Sequence, residues 1–187
     1  MQLTTPRLLI DGLRSEDSAA LFHNRADPDV RRYQSRWPAS IDDALGFIET
    51  CLAVAPNTPG TLFQRAIRLT DTGDLIGDLG LHFIAEAEST IELGITLLLR
   101  YQQRGYAKEA LNAVLGFVFD DLEKHRIYAS VDPRNHASLK LLEGVGIRKE
   151  AHFQKSLRLH GEWADDVIYA MLAREWSLRR PAERHRG

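Results

Sequence analysis

The chain has 187 residues, of which 44% are hydrophobic and 27% are charged. This composition is typical of a single globular domain that is large enough to bury a substantial core. The formal net charge of -2 at pH 7 argues against a dedicated nucleic-acid-binding protein, because such proteins usually carry a basic excess.

The first third of the chain predicts one strand followed by three helices. Residues 7–13, RLLIDGL, have the apolar character of a strand. Ser15 predicts the N-cap of a helix, which Pro28 divides into two short ones because proline disrupts a helix interior. Ser40 predicts the cap of the third helix, whose apolar side chains repeat at helical spacing.

The middle of the chain predicts three strands and then a helix. Residues 61–69 and 74–84 flank the turn sequence DTGD and are expected to form a hairpin. Residues 89–98 predict a third strand of the same meander. Within residues 101–119, apolar side chains share one broad helical face, and this pattern predicts the helix.

The last third predicts a strand at 126–132, a helix at 135–145, and strands at 156–159 and 163–172 around the turn HGEW. Antiparallel strands thus precede a strand–helix–strand crossover. This order predicts an α/β (α+β) fold, with a mixed, mostly antiparallel central sheet flanked by helices on both faces. We expect one domain over residues 1–176 and a basic, frayed tail over 177–187.

Several common kinds of site are not expected. The sequence has no Walker-type phosphate loop, no G-x-G-x-x-G after a strand and no H-E-x-x-H or C-x-x-C spacing, so we expect no metal site. Its one cysteine, Cys51, lies in an apolar stretch and is expected to be buried and inert. The N-terminus lacks signal-peptide features, and no apolar run reaches the ~20 residues of a membrane span. We therefore expect a cytoplasmic protein without membrane contact.

The helix within 101–119 begins without a capping Ser, Thr, Asp or Asn at the obvious position. The first amides of a helix have no internal partners, and they form an anion site when the surface above them is low. Gly105 and Ala107 would keep that surface low, and Arg104 or Lys108 could add positive charge. An ordinary strand-to-helix connection is the other interpretation.

Residues 102–107, QQRGYA, resemble the [Q/R]-x-x-G-x-[G/A] pyrophosphate motif of the GCN5-related N-acetyltransferase (GNAT) superfamily, in particular its RimJ/RimL-type branch. The resemblance spans almost the whole chain. TPRLLIDGL and the helices after it are similar to the opening of that branch, and IELGITLLL to its central strand. NHASLKLLEGVGI is similar to its Asn-x-x-Ser segment, and GEWADDVIYAMLAREW to its closing strand.

The resemblance implies transfer of the acetyl group of acetyl-CoA to an amine by direct attack in a ternary complex. In relatives, the strand before the motif runs beside the pantetheine arm, and its backbone binds the acetyl carbonyl. The chain departs from its relatives at Gln103, where glycine is common, at Lys108, where threonine is common, and at Ile147, where phenylalanine is usual. The CoA-binding residues implied are Leu97, Leu98, Leu99, Gln102, Gln103, Arg104, Gly105, Tyr106, Ala107, Lys108, Asn135 and Ser138.

The proton donor to the CoA thiolate is implied to be Ser138. Many superfamily members carry a tyrosine seven positions after the helix-starting asparagine, but here that position is Leu142. RimJ/RimL-type relatives have a serine three positions after the asparagine, which is Ser138, on the same helix face as the missing tyrosine. Asn135 is implied to cap this helix and also to bond the pantetheine arm.

Glu92 is the first candidate for the general base. In IELGITL the apolar residues share one face of the strand, whereas Glu92, Gly94 and Thr96 share the other, so a carboxylate lies beside the implied acetyl site. His82, Asp165 and Asp166 are the alternatives to Glu92.

The resemblance places the acceptor pocket between the early helices and the last hairpin, and implies that it is lined by Tyr33, Trp37, Trp163 and Asp165. The branch suggests a protein N-terminal α-amine, such as that of a ribosomal protein. Small molecules (an amino acid, a polyamine or an aminoglycoside) are the alternative, because the acceptor site is the variable part of a fold. A non-catalytic acyl-CoA-binding module, favoured by Leu142, is a further alternative. Neither nucleic acid nor a membrane is expected as a partner, and a homodimer stays open.

Overall fold

The computed structural model describes residues 1–87 and 89–179 of the chain. Eight strands form one sheet in the order β1-β2-β3-β4-β5-β6-β8-β7. The strands are β1 Leu3–Thr4, β2 Leu8–Asp11, β3 Leu62–Leu69, β4 Leu75–Phe83, β5 Thr90–Leu97, β6 Arg126–Val131, β7 Arg148–Leu159 and β8 Glu162–Leu172. The helices are α1 Ser18–Ala26, α2 Pro28–Arg31, α3 Ile41–Leu52, α4 Tyr106–Gly116, α5 His136–Gly144 and α6 Ala173–Arg179.

The predicted order of elements is confirmed, as is the mixed sheet. All neighbouring strands are antiparallel except β5 and β6, which are parallel and are joined by the crossover through α4. The prediction missed the short β1 and the helix α6. It also placed the start of β7 eight residues late. Residues 148–155 are mostly polar and are exposed on both faces of the strand, so they lack the alternation of polar and apolar residues that indicates a strand.

The two faces of the sheet carry different cores. On one face, Ile91, Leu93 and Leu97 of β5 join a large apolar cluster with the buried sides of α4 and α5. On the other, α1 and α3 pack over Ala66 in a cluster of five buried residues. Cys51 lies in α3, and burial raises its pKa to about 11, so the prediction of a buried thiol is confirmed.

Buried ion pairs hold the start of α1 against the sheet, beside the smaller core. Arg68 of β3 is 3% exposed and donates to Asp11 at 2.9 Å and to Asp17 at 2.6 Å. Asp17 immediately precedes α1 and is itself 5% exposed. Because a charge leaves water at a high cost unless it is paired, this cluster fixes where α1 begins.

The basic tail predicted over 177–187 begins inside α6, which extends to Arg179 and donates from that residue to the carbonyl of Val145. Residues 180–187 lie outside the described part of the chain. Within the described residues, no helix combines the length and the apolar character that crossing a bilayer requires.

Replacing Arg68 with alanine is expected to lower the free energy of unfolding by about 3–5 kcal/mol, because the buried Asp17 would lose its cationic partner, whereas Asp11 would keep its pair with Arg14. Arg32→Ala is the control, since its pair with Asp29 is exposed on both sides and is worth roughly 0–1 kcal/mol. Urea unfolding of both variants checks the difference. Equal losses of unfolding free energy in the two variants would contradict the stabilising role given to the Arg68 ion pairs.

Candidate active site

A gap between β5 and β6 is the central feature of the site. The two parallel strands pair at three positions, from Thr90 opposite Arg126 to Glu92 opposite Tyr128. Beyond Glu92, β5 continues to Leu97 and β6 to Val131 without further pairing to each other. The sheet therefore opens as a wedge that is closed at Glu92 and Tyr128, and the loops leading into α4 and α5 follow its open end.

The N-terminus of α4 at this open end has no side-chain cap. Gly105 is the N-cap residue, with φ 82°, and no side-chain hydrogen bond is made there. The approach to the helix is fixed from outside, because Arg7 donates to the carbonyl of Arg104 at 3.0 Å and to the Glu109 carboxylate at 2.6 Å. The first amides of α4 and the positive end of its dipole are thus directed toward the wedge.

The two glutamines before α4 each contribute to the structure of the loop. The Gln102 side chain donates to the carbonyl of Leu97 at 3.0 Å, so it ties the loop back to the end of β5. Gln103 has φ 59°, a backbone conformation that glycine adopts without strain. The position is therefore conformationally constrained, which fits the glycine that the resemblance implies there.

The end of β5 presents both backbone and side chain at the wedge. The amide of Leu98 donates across to the carbonyl of Ile76 at 2.9 Å, which keeps this segment on β4. Leu99 begins a short 3-10 turn and is 43% exposed. The strand end is thus held from the β4 side, and an apolar side chain lies at the surface.

The start of α5 combines the two residues predicted there. Asn135 is the N-cap, and its Oδ1 accepts from the amide of Ser138 at 3.1 Å, as the sequence predicted. Ser138 is half-buried. Leu142, one turn later, is 3% exposed and belongs to the large core. Leucine at this position contributes packing and no proton-donating group.

Glu92 lies at the closed end of the wedge among groups from both neighbouring strands. Its Oε2 is 3.3 Å from Nδ1 of His82 on β4, and Tyr128 of β6 is its partner in register. Burial, followed by the charge and hydrogen bonding of Glu92, raises the pKa of Tyr128. Tyr128 therefore stays protonated and can donate to the carboxylate. The sequence analysis missed Tyr128, because no local pattern indicates which residue will lie beside Glu92.

The polar face of β5 continues from Glu92 toward the open end. Gly94 is exposed, and Thr96 is half-buried and accepts from Gln34 Nε2 at 2.9 Å. The predicted alternation of IELGITL is confirmed, since the opposite face is buried at three of its four positions. Asp166 lies on this same polar side, where it accepts from Ser130 at 2.7 Å.

The segment between α2 and α3 crosses this polar side. Besides Gln34, its Tyr33 donates to the carbonyl of Arg134 before α5 at 3.3 Å. Its Trp37 ring lies 5.1 Å from the His160 ring at the tip of the β7–β8 hairpin. Trp37 is thus brought to the hairpin and Tyr33 to the loop before α5, whereas Trp163, on the hairpin itself, is 60% exposed.

Asp165 was predicted as an alternative general base and as part of the acceptor pocket, but the structure does not place it beside Glu92. It alternates with Asp166 along β8 and so faces the other side of the hairpin. Its carboxylate is occupied by the Lys155 amide at 3.1 Å and by His152 at 3.0 Å, and these contacts hold the pKa of Asp165 below its usual range.

Comparison with known proteins gives a consistent result. Residues 7–148 match the model of the acetyltransferase (GNAT) domain. The uncharacterized N-acetyltransferase YnaD of Bacillus subtilis is 31% identical over 177 residues, which cover 95% of this chain and 100% of that protein. The [ribosomal protein uS5]-alanine N-acetyltransferase of Escherichia coli is 25% identical over 186 residues, covering 95% and 93%.

A solved structure shows the same architecture. A GNAT-family acetyltransferase from Bacillus anthracis superposes with a TM-score of 0.81 at 28% identity, covering 94% of this chain and 100% of that one. The family model covers most of the chain, and the sheet opens where the motif predicted a cofactor. The chain therefore belongs to the GNAT acetyltransferase family and is an acetyl-CoA-dependent N-acetyltransferase.

Proposed function

We propose that this enzyme acetylates the α-amino group at the N-terminus of a protein. The observation that carries the proposal is the exposure of Gly94 in the middle of a central strand, beside Glu92. An opening that reaches the sheet from solvent suits the end of a polypeptide, which cannot enter a closed pocket. The Escherichia coli relative, named for alanine of ribosomal protein uS5, supports the same class of acceptor.

In the proposed reaction, the neutral amine nitrogen attacks the carbonyl carbon of the acetyl thioester. A carbon–nitrogen bond forms, the tetrahedral intermediate carries negative charge on oxygen, and the carbon–sulfur bond then breaks. The amine loses a proton and the departing thiolate gains one, so no oxidant or reductant is needed. The unpaired backbone edge of β5 beyond Glu92 supports a role in binding the oxyanion.

Glu92 is the proposed general base. It lies at the closed end of the wedge, on the polar face from which the acceptor would approach. His82 and Tyr128 flank its carboxylate from the two neighbouring strands, and so they hold it in place. A partly exposed carboxylate accepts a proton from an ammonium group either directly or through one water molecule.

Ser138 is the proposed donor to the thiolate, and Asn135 the proposed partner of the pantetheine arm. The side-chain Oδ1 of Asn135 caps α5, so the side-chain Nδ2 is the atom left to donate to the pantetheine arm. The Ser138 amide is also used by this cap, whereas its hydroxyl is half-buried at the first turn of α5. It can therefore hydrogen-bond the sulfur.

The start of α4 is the proposed site of the CoA pyrophosphate. Its residues fit such a group, because the N-cap Gly105 has no side chain above the free amides and the exposed Arg104 and Lys108 add positive charge. Arg7 is neutralised by Glu109, so its contribution is to hold the loop.

Gly105→Ala is expected to weaken CoA binding at least tenfold, because the added Cβ would lie 3.3 Å from Nη2 of Arg7 and would disturb the residue that holds the loop around the α4 amides. Gly73→Ala, in the β3–β4 turn, is the matched control. Both glycines have positive φ, 82° and 75°, so both variants should lose about 1–2 kcal/mol of stability. Calorimetric titration with CoA separates the effects, and equal affinities for the two variants would contradict the placement.

Glu92→Gln is expected to lower kcat for a peptide acceptor about 10²–10⁴-fold, because the amine would lose its base. Ser138→Ala should lower kcat less, since a hydroxyl is a weak acid. Glu92→Gln should not alter CoA affinity, and Glu86→Gln, on an exposed turn, is the control. Release of CoA thiol with an alanine-initiated peptide, and with free amino acids and polyamines, is the assay.

The same set of acceptors also distinguishes a protein N-terminus from a small amine as the substrate. Transfer to small amines but not to peptides would contradict the proposed acceptor, and CoA binding without transfer to any amine would contradict the proposed reaction. An unchanged kcat in Glu92→Gln or Ser138→Ala would remove the role given to that residue.

A further inference from the structure

Gly94 occupies a position where nothing in the fold itself requires glycine. Its φ lies outside the left-handed region, and a Cβ built on it would meet no heavy atom within 4 Å. The neighbouring strand differs, because a Cβ at Gly77 would collide with the backbone of Thr96, and one at Gly80 would lie 2.6 Å from Oε1 of Gln64. Those two glycines are explained by packing, whereas Gly94 is not.

Glycine destabilises a strand, so a glycine beside open space needs an explanation other than packing. A glycine in a strand interior weakens the strand, because it loses more backbone freedom on folding and has no side chain to pack. Here it lies in β5, between β4 and β6 in the middle of the sheet, and yet it is exposed. The space above Gly94 is therefore a groove that reaches the sheet.

Defined side chains bound this groove along β5. Glu92 lies two residues before Gly94 and Thr96 two residues after it, so their Cα atoms are roughly 13 Å apart. The residue of β4 that pairs with Gly94 is Gly80, so neither β4 nor β5 has a side chain at this point of the groove. The groove therefore has a carboxylate at one end and a hydroxyl at the other.

The hydroxyl end is arranged to donate a hydrogen bond. Gln34 Nε2 donates to Thr96 Oγ1 at 2.9 Å, and the Oε1 of the same Gln34 accepts from Arg25 at 3.4 Å. The orientation of the Gln34 amide is thereby fixed. Because a hydroxyl that accepts one hydrogen bond retains its own proton, Thr96 can donate to a carbonyl oxygen in the groove.

We propose that Gly94 is the floor of the acceptor groove and that its lack of a side chain makes room for the first side chain of a polypeptide acceptor. The acceptor's α-amine lies at Glu92, its first side chain lies over Gly94, and a peptide carbonyl that follows accepts from Thr96. This inference rests on the proposed function, since it specifies which N-termini that reaction accepts. Gly94 is thus a specificity-determining residue.

Gly94→Ala and Gly94→Val test the groove. Both proteins should fold and bind CoA as the wild type does, because the added atoms have open space around them. For a peptide that begins with alanine, we expect KM to rise at least tenfold in Gly94→Val and less in Gly94→Ala. A peptide that begins with glycine should be affected less than one that begins with alanine. Gly46→Val is the control, since Gly46 is also exposed with no atom within 4 Å of a Cβ.

Thr96→Val gives a second readout, because it keeps the shape of the side chain and removes the hydroxyl. KM for peptides should rise several-fold, while KM for a free amine without a following carbonyl should not change.

Two results would overturn the inference while leaving the proposed function intact. One is peptide acetylation by Gly94→Val with unchanged KM. The other is a loss of CoA affinity in Gly94→Val, which would assign the groove to CoA rather than to the acceptor. Failure of the wild-type enzyme to acetylate any N-terminal peptide would overturn the proposed function and this inference together.

Discussion

The incomplete pairing of β5 with β6 is the constraint on which the rest of the molecule depends. Backbone amides and carbonyls within a sheet need partners, yet these strands separate after Glu92 and Tyr128. The sheet tolerates the gap because β5 stays paired with β4 as far as Leu97, and β6 stays paired with β8 along its whole length. Two stable half-sheets thus leave free backbone edges facing each other, which is the kind of surface that binds an extended ligand arm.

The two sides of this gap are stabilised by different forces. The side of α4 and α5 is built on the large apolar core, which includes the buried faces of both helices. The other side has a small apolar cluster and relies on buried charge, with Arg68 held by Asp11 and Asp17, and Arg25 paired with Asp78. Polar contacts depend strictly on geometry, so they define the position of the α2–α3 segment more sharply than apolar packing would.

The sequence was sufficient for most features that one element determines alone, although the cap predicted at Ser15 is wrong, because α1 begins after Asp17. The caps at Ser40 and Asn135, and the alternation from Ile91 to Leu97, depend on neighbours within a few residues and are as predicted. Properties set by other strands were not predictable in this way. The contact between Tyr128 and Glu92 depends on the register of β5 with β6, and which of Asp165 and Asp166 faces the side of Glu92 depends on the register of β6 with β8.

The placement of the proposed acid and base follows from the same geometry. Glu92 is on the polar face of β5, beneath the α2–α3 segment, whereas Ser138 begins α5, which packs with α4 on the other face. An amine can therefore approach from one face while the thiol leaves toward the other, and neither proton transfer competes for the same group. Leu142 is buried and carries no group that can donate a proton. A proton donor from α5 is then best sought in the first turn of the helix, where Ser138 lies on the same face.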